Sequence, residues 1–244
     1  NGEIEEANKI IKIGFELDFK KTDFFGYYVA DKNNNLTPEQ IKYYEKLLRD
    51  EETRSHTKII IAYAFFEYYR NQKNYGLSGQ FLTTYNDLQY SLREFDIDKE
   101  IQFFNRIKQA TATSKFEPKI KEDLIKPIFI CGMPRSGTTL IEQTICNVKE
   151  VASVGEVPFA TQFMSKVDLT KDLEFITNGL TKFYVDKIKK YDLSEHIVID
   201  KMPFNLFWTG FLALSFPNAK FIHCKRDARA TCWSNYETNF AEGN

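Results

Sequence analysis

The hydrophobic pattern divides the chain into two parts. Residues 1 to about 125 carry apolar side chains at helical spacing, with no alternating strand pattern bounded by turns. Residues from about 127 onward alternate short β-branched runs with helical segments, which is typical of an α/β fold. We therefore predict a helical region over 1–125 and an α/β domain over 126–244, with a parallel sheet flanked by helices.

One helix start in the first part is well defined by its residue types. Thr37 suits an N-cap, Pro38 the first helical position, and Gln40 the third position of a capping box. Apolar residues from Ile41 to Leu48 then follow at the spacing of one helix face. The sequence therefore predicts a helix that begins at Pro38.

The next helices are predicted from the same periodicity. A segment from about Ser55 to Arg70 is apolar on more than one side, which indicates a central helix. Residues 71–77 read as a turn, and helices are expected from about 78 to 95 and from about 98 onward. The helix pair around this turn is similar to one tetratricopeptide-type repeat, with a plain helical bundle or cap as the alternative.

Composition narrows the range of functions. The 244 residues include 33 Lys and Arg against 34 Asp and Glu, so no overall charge favours nucleic acid or an anionic membrane. No apolar stretch is long enough to cross a bilayer. The four cysteines form no CxxC pair, so we expect buried, reduced thiols and a cytoplasmic location.

A strand, a glycine-containing loop and a helix follow one another after a charged linker over 113–126. Lys126–Cys131 suits a buried parallel strand, and Leu140–Ile145 has the pattern of an amphipathic helix. The loop between them has the sequence Gly132-Met133-Pro134-Arg135-Ser136-Gly137-Thr138-Thr139. Loop amides and a helix N-terminus both attract an anion, so this arrangement predicts a phosphate site.

The side chains of this loop support an anion other than a nucleoside triphosphate. Arg135 adds a full charge, Gly137 permits close backbone approach, and Thr139 adds a hydroxyl donor. Thr138 stands where a P-loop NTPase has the lysine that reaches the terminal phosphates. A P-loop kinase or ATPase, with Asp200 on Mg²⁺, therefore remains only an alternative.

A second anion site is predicted near the end of the chain. Lys220–Arg226 reads as a strand, and Asp227 opens a helix that runs to about Phe240. Arg226 ends the strand and Ser234 lies eight residues later on the helix. Both side chains can face one anion at the carboxyl edge of the sheet, where α/β folds bind ligands.

The segment Pro134–Leu140, PRSGTTL, resembles the 5′-phosphosulfate loop of sulfotransferases that use 3′-phosphoadenosine 5′-phosphosulfate as donor. It is similar to the loops of tyrosylprotein sulfotransferases and of bacterial sulfotransferases with tetratricopeptide repeats. The resemblance covers about 127–240 well and 36–112 loosely. It implies that seven residues hold the donor, namely Arg135, Ser136, Gly137, Thr138, Thr139, Arg226 and Ser234.

The resemblance also implies the catalytic residues. Glu156, at the end of the predicted strand Val151–Glu156, is expected to be the general base, and Lys201, at the end of Ile197–Lys201, to stabilise the leaving oxygen together with Arg135. The histidine that cytosolic sulfotransferases use as base is missing from Lys201-Met202-Pro203. No metal is expected, because no residues have metal-ligand spacing.

The sequence departs from the family pattern in two further places. Leu140 stands where cytosolic members have an aromatic residue against adenine, and the chain stops soon after the second phosphate site. We therefore expect part of the donor lid to be missing. The acceptor hydroxyl can belong to a protein tyrosine, a sugar or a small molecule, and the helical region can present a peptide. A helical-repeat adaptor with a degenerate α/β domain is the alternative to an enzyme.

Overall fold

A parallel four-stranded sheet organises the second part of the chain. The computed structural model describes residues 2–93, 95–112, 125–191 and 193–240. The strands are β1 (Lys126–Gly132), β2 (Val151–Ser153), β3 (Ile197–Lys201) and β4 (Lys220–Cys224). Their order is β2-β3-β1-β4, with parallel pairing throughout. The predicted α/β class is confirmed, and the carboxyl ends of all four strands lie at one edge.

Helices connect these strands and cover both faces of the sheet. The helices of this unit are α6 (Ile97–Ala112), α7 (Thr138–Ile145), α8 (Phe159–Met164), α9 (Leu173–Ile188), α10 (Asn205–Ser215) and α11 (Ala228–Tyr236). Phe129 and Val198 pack toward α9 and α10, where Tyr184 and Phe211 are fully buried. Ile130 and Ile199 pack on the opposite face with Ile145 of α7. Because both faces are covered at the central strands β1 and β3, these two strands are mostly apolar and buried, whereas the edge strand β4 is mostly exposed.

The first part of the chain is helical, as predicted. Its helices are α1 (Gly2–Leu17), α2 (Thr22–Ala30), α3 (Pro38–Arg49), α4 (Ser55–Asn71) and α5 (Tyr75–Ser91). The capping box is present, since Gln40 N–H donates to Thr37 Oγ1 at 3.3 Å and Thr37 N–H donates to Gln40 Oε1 at 2.8 Å. The helix α4 is buried on several sides, through Ile59, Ile61 and Phe65, which confirms its predicted central position.

The two compact units of the chain are divided at residues other than the domain boundary expected from the sequence. The chain forms two compact units, residues 1–95 with 237–244 and residues 96–236. The boundary expected from sequence lies near residue 125, but α6 packs on α10 through Phe103 against Trp208 and Phe104 against Phe207. Most of the predicted linker, residues 113–124, lies outside the described residues. The repeat character of α4 and α5 stays a prediction.

Candidate active site

The loop Gly132–Thr139, predicted to bind phosphate and called the phosphate loop below, has two residues with a positive φ besides Gly132. Gly137 has a φ of +101° and precedes α7 without a side-chain cap, so the first amides of α7 have no capping partner. Arg135 has a φ of +68°, a conformation uncommon for a residue with a side chain. These features leave the first amides of α7 without a side-chain cap, and anion binding there stays a prediction.

Contacts from the end of β4 and from α11 hold this loop. Arg135 Nε donates to Ser234 Oγ at 3.0 Å, and Arg226 Nη1 donates to the Arg135 carbonyl at 3.2 Å. Asn235 Nδ2 donates to the Pro134 carbonyl at 2.9 Å. The residues of the two predicted anion sites are therefore in direct contact, because Arg135 contacts both Ser234 and Arg226.

The loop also fits a phosphate group by its unmet hydrogen-bonding capacity. Ser136 Oγ is buried and has no hydrogen-bond partner among the described residues. A buried hydroxyl without a partner costs free energy, which an anion accepting its proton would recover. Thr138 is buried at the start of α7, whereas Thr139 is exposed. The residues present therefore fit the 5′-phosphate side of the donor.

Lys201 and Glu156 form an ion pair at the same edge of the sheet. Lys201 Nζ donates to Glu156 Oε1 in a short hydrogen bond and lies 3.6 Å from Glu142 Oε2. The exposed side-chain fractions are 6% for Lys201, 13% for Glu142 and 53% for Glu156. The ammonium is thus buried between two carboxylates, of which Glu156 is much the more exposed to solvent.

The turn that carries Glu156 is shaped by its own hydrogen bonds. The predicted strand Val151–Glu156 ends at Ser153, because Gly155 turns the chain with a φ of +70°. Gly155 N–H donates to Ser153 Oγ at 3.0 Å, and Lys201 N–H donates to the Gly155 carbonyl at 3.1 Å. Backbone pairing with β3 therefore brings Glu156 to Lys201.

Asp200 lies on the side of β3 opposite to Lys201 and is fully buried. Tyr184 Oη donates to Asp200 Oδ2 at 2.8 Å. Burial raises the pKa of Asp200 to about 7, although the hydrogen bond from Tyr184 lowers it.

Sequence reasoning missed two residues of this site, Glu142 and Asn235. Glu142 lies one turn after Thr138 on α7, and this spacing was the available signal for a shared helix face. Asn235 follows Ser234 directly, but nothing in the sequence indicates that it contacts Pro134, 101 positions earlier.

Among the described residues, no group of three or more His, Cys, Asp or Glu side chains is arranged to hold a metal ion. No helix in the described ranges is long and apolar enough to span a membrane.

Known proteins similar to this chain include the following two. An uncharacterised protein of Aquifex aeolicus (strain VF5) is 29% identical over 272 aligned residues, covering 98% of this chain and 34% of that protein. A Caenorhabditis briggsae protein named "Putative protein-tyrosine sulfotransferase" is 29% identical over 119 residues, covering 45% of this chain and 42% of that protein. The chain thus spans between a third and about two fifths of these relatives' lengths.

A family model gives the more specific match. Residues 127–244 match the model described as "Sulfotransferase family". The matched residues include the phosphate loop, the Glu156 turn, β3 with Lys201, and the Arg226 and Ser234 pair. By this match, residues 127–244 are similar to the sulfotransferase family, and they include the parallel sheet described above.

Proposed function

We propose that the chain transfers a sulfuryl group from 3′-phosphoadenosine 5′-phosphosulfate to an acceptor hydroxyl. The observation that carries this proposal is the direct contact between residues of the two predicted anion sites. Arg135 donates to Ser234, and Arg226 donates to the Arg135 carbonyl. A donor with phosphates at both ends of its nucleoside explains two adjacent sites. A nucleoside triphosphate explains only one, and Thr138 leaves the loop without the lysine that such enzymes need.

The residues that would hold the donor divide into two groups. Arg135, Ser136 and the amides from Gly137 to Thr139 face the 5′-phosphosulfate, whereas Arg226 and Ser234 face the 3′-phosphate. When bound, the donor supplies the sulfuryl group and a phosphate that leaves. The orphaned Ser136 Oγ and the uncapped start of α7 are the features that support this assignment.

Three residues carry the chemistry. Glu156 takes the proton of the acceptor hydroxyl as that oxygen forms its bond to sulfur. Lys201 and Arg135 stabilise the negative charge that collects on the bridging phosphate oxygen as its bond to sulfur breaks. The exposure of Glu156 beside the buried Lys201 supports this division, because the base must reach an acceptor while the cation stays fixed.

A protein tyrosine is the acceptor that we propose first. The support is the printed name of the Caenorhabditis briggsae relative, whose match covers 45% of this chain. A peptide acceptor also gives the helical region a role in substrate contact. Sugar and small-molecule hydroxyls are the competing acceptors in the test.

The test measures transfer of ³⁵S from the labelled donor to a synthetic acidic peptide with one tyrosine, against the same peptide with phenylalanine. Glu156→Gln is expected to lower kcat at least about 100-fold, the usual range for losing a general base. Its affinity for 3′-phosphoadenosine 5′-phosphate should stay within about threefold of wild type, because Glu156 does not belong to the donor site.

Glu150→Gln provides the matched control. Glu150 is exposed on the turn before β2, and the substitution makes the same chemical change away from Lys201. It should leave kcat unchanged. Full transfer activity in Glu156→Gln would remove Glu156 as the base, and labelling of the phenylalanine peptide would remove tyrosine as the acceptor.

A further inference from the structure

Glu142 is a charged residue next to the proposed catalytic pair that sulfuryl transfer, as described above, does not use. It lies on α7, one turn after the phosphate loop, and its side chain is only 13% exposed. One carboxylate oxygen, Oε2, lies 3.6 Å from Lys201 Nζ. The other, Oε1, accepts a hydrogen bond of 2.5 Å from Ser153 Oγ. A carboxylate held at both oxygens has a fixed direction.

The two contacts of Glu142 lead to the two proposed catalytic residues. Ser153 Oγ also accepts from Gly155 N–H at 3.0 Å, which fixes the turn immediately before Glu156. Lys201 pairs with both Glu142 and Glu156. A single side chain on α7 therefore touches the ammonium directly and orders the turn of the base through one hydroxyl.

The charges of this cluster give a reason for a second carboxylate. A buried ammonium without a counter-charge is strongly unfavourable. If Glu156 were the only partner of Lys201, the proton that Glu156 takes up would remove that counter-charge. Glu142 is a second carboxylate beside Lys201, at 3.6 Å, and it is not the group that takes the acceptor's proton. The ammonium has three N–H donors, so pairing with both carboxylates leaves a donor for a leaving oxygen.

We propose that Glu142 is a positioning residue that holds Lys201 and the Gly155–Glu156 turn for sulfuryl transfer. The inference rests on the proposed function, since it assigns Glu142 a role through Lys201 and Glu156. It links the phosphate loop to the base, because the helix whose N-terminus faces the donor also carries the residue that fixes the catalytic pair.

The first test is a double-mutant cycle on the affinity for 3′-phosphoadenosine 5′-phosphate, measured by calorimetry. The variants are Glu142→Gln, Lys201→Met and their combination. If Glu142 positions Lys201 toward the phosphate, Glu142→Gln should weaken binding about fivefold, and this effect should vanish in the Lys201→Met background. If Glu142 is merely a negative charge near an anion site, Glu142→Gln should tighten binding in both backgrounds, which would overturn the proposal.

The second test needs no donor and follows hydrogen exchange over residues 151–157. Glu142→Ala removes the acceptor of Ser153 Oγ and should speed exchange of the Gly155 amide about tenfold, whereas Glu150→Ala should not change it. Unchanged exchange in Glu142→Ala would overturn the link to the turn. Both variants are first compared with wild type by thermal unfolding, so that a general loss of fold is recognised.

The two tests separate this inference from the proposed function. If the wild-type chain binds no 3′-phosphoadenosine 5′-phosphate, the proposed function fails, whatever the exchange result. If the wild type binds it and the affinity of Glu142→Gln is unchanged or higher, the function stands and the positioning role fails.

Discussion

Asp200 directly precedes Lys201 on β3, and its buried carboxyl affects the stability of the fold. Its buried carboxyl has a pKa of about 7, against an ordinary value of 3.8, with burial as the main cause. The folded chain therefore binds a proton that the unfolded chain has lost between about pH 4 and pH 7. The carboxyl costs little stability at low pH, and its cost grows as the pH rises toward 7.

Asp200→Asn should remove this pH dependence. The amide keeps the size of the side chain and can still accept from Tyr184, but it carries no charge. We expect the free energy of unfolding of Asp200→Asn, relative to wild type, to rise by about 2 to 3 kcal/mol between pH 5 and pH 8. Urea unfolding at several pH values measures it. Asp186→Asn, at an exposed carboxylate, is the matched substitution for comparison. A flat difference for Asp200→Asn would contradict the raised pKa.

Single residues also mark the limit of sequence reasoning at the site. Arg135, Arg226 and Ser234 could be predicted, because each lies where a strand or loop of a parallel sheet presents its side chain to the carboxyl edge. Their direct contact could not, since a side-chain orientation depends on the packing of both elements. Glu142, on the helix α7, was missed for a related reason: its proposed role depends on Lys201, which lies 59 positions later on the strand β3.

At the scale of elements, the close approach of β1 and β4 depends on Gly132. This residue has a φ of +149°, and an added Cβ would lie 2.4 Å from the Cys224 carbonyl oxygen and 3.1 Å from Ser136 Oγ. The first contact is with backbone, so neither strand can relieve it by a side-chain rotation. Gly132 therefore sets the spacing between the strand that leads into the phosphate loop and the strand that leads to Arg226.

Gly132→Ala should destabilise the chain by about 2 to 4 kcal/mol, through overpacking and an unfavourable backbone conformation. Chemical denaturation measures it directly. Gly79→Ala is the matched control, because Gly79 lies inside α5 and a Cβ added there would meet open space. That control should be neutral or stabilise by up to about 1 kcal/mol. Equal stabilities for the two variants would contradict the close approach of β1 and β4.

Elements with clear periodicity or capping were the ones that the sequence predicted well. The helix α3 begins at Pro38 with its capping box, and α4 spans Ser55–Asn71. The short helix α2 was not placed, because aromatic residues cluster in Thr22–Ala30 without a helical or strand period. The predicted end of the last helix near Phe240 was too late, since α11 ends at Tyr236.

At the scale of the whole molecule, the chain consists of a helical unit and an α/β unit, and the family match covers the second. The boundary was the least predictable feature. Helical periodicity in α6 is the same whether the helix packs on other helices or on a sheet domain, and only contacts such as Phe103 with Trp208 distinguish the two. Sequence therefore predicts the class of each unit better than the division between them.

The most direct test of the central claim is calorimetric binding of 3′-phosphoadenosine 5′-phosphate, beside ATP with Mg²⁺, to wild type, Arg226→Ala and Arg106→Ala. Arg106 is exposed on α6, so its loss removes the same charge away from the site. We predict that the bisphosphate binds wild type and Arg106→Ala equally and Arg226→Ala at least about tenfold more weakly, with ATP and Mg²⁺ binding far less. Preferential binding of ATP with Mg²⁺, or equal binding of the bisphosphate to all three proteins, would contradict the proposed donor site.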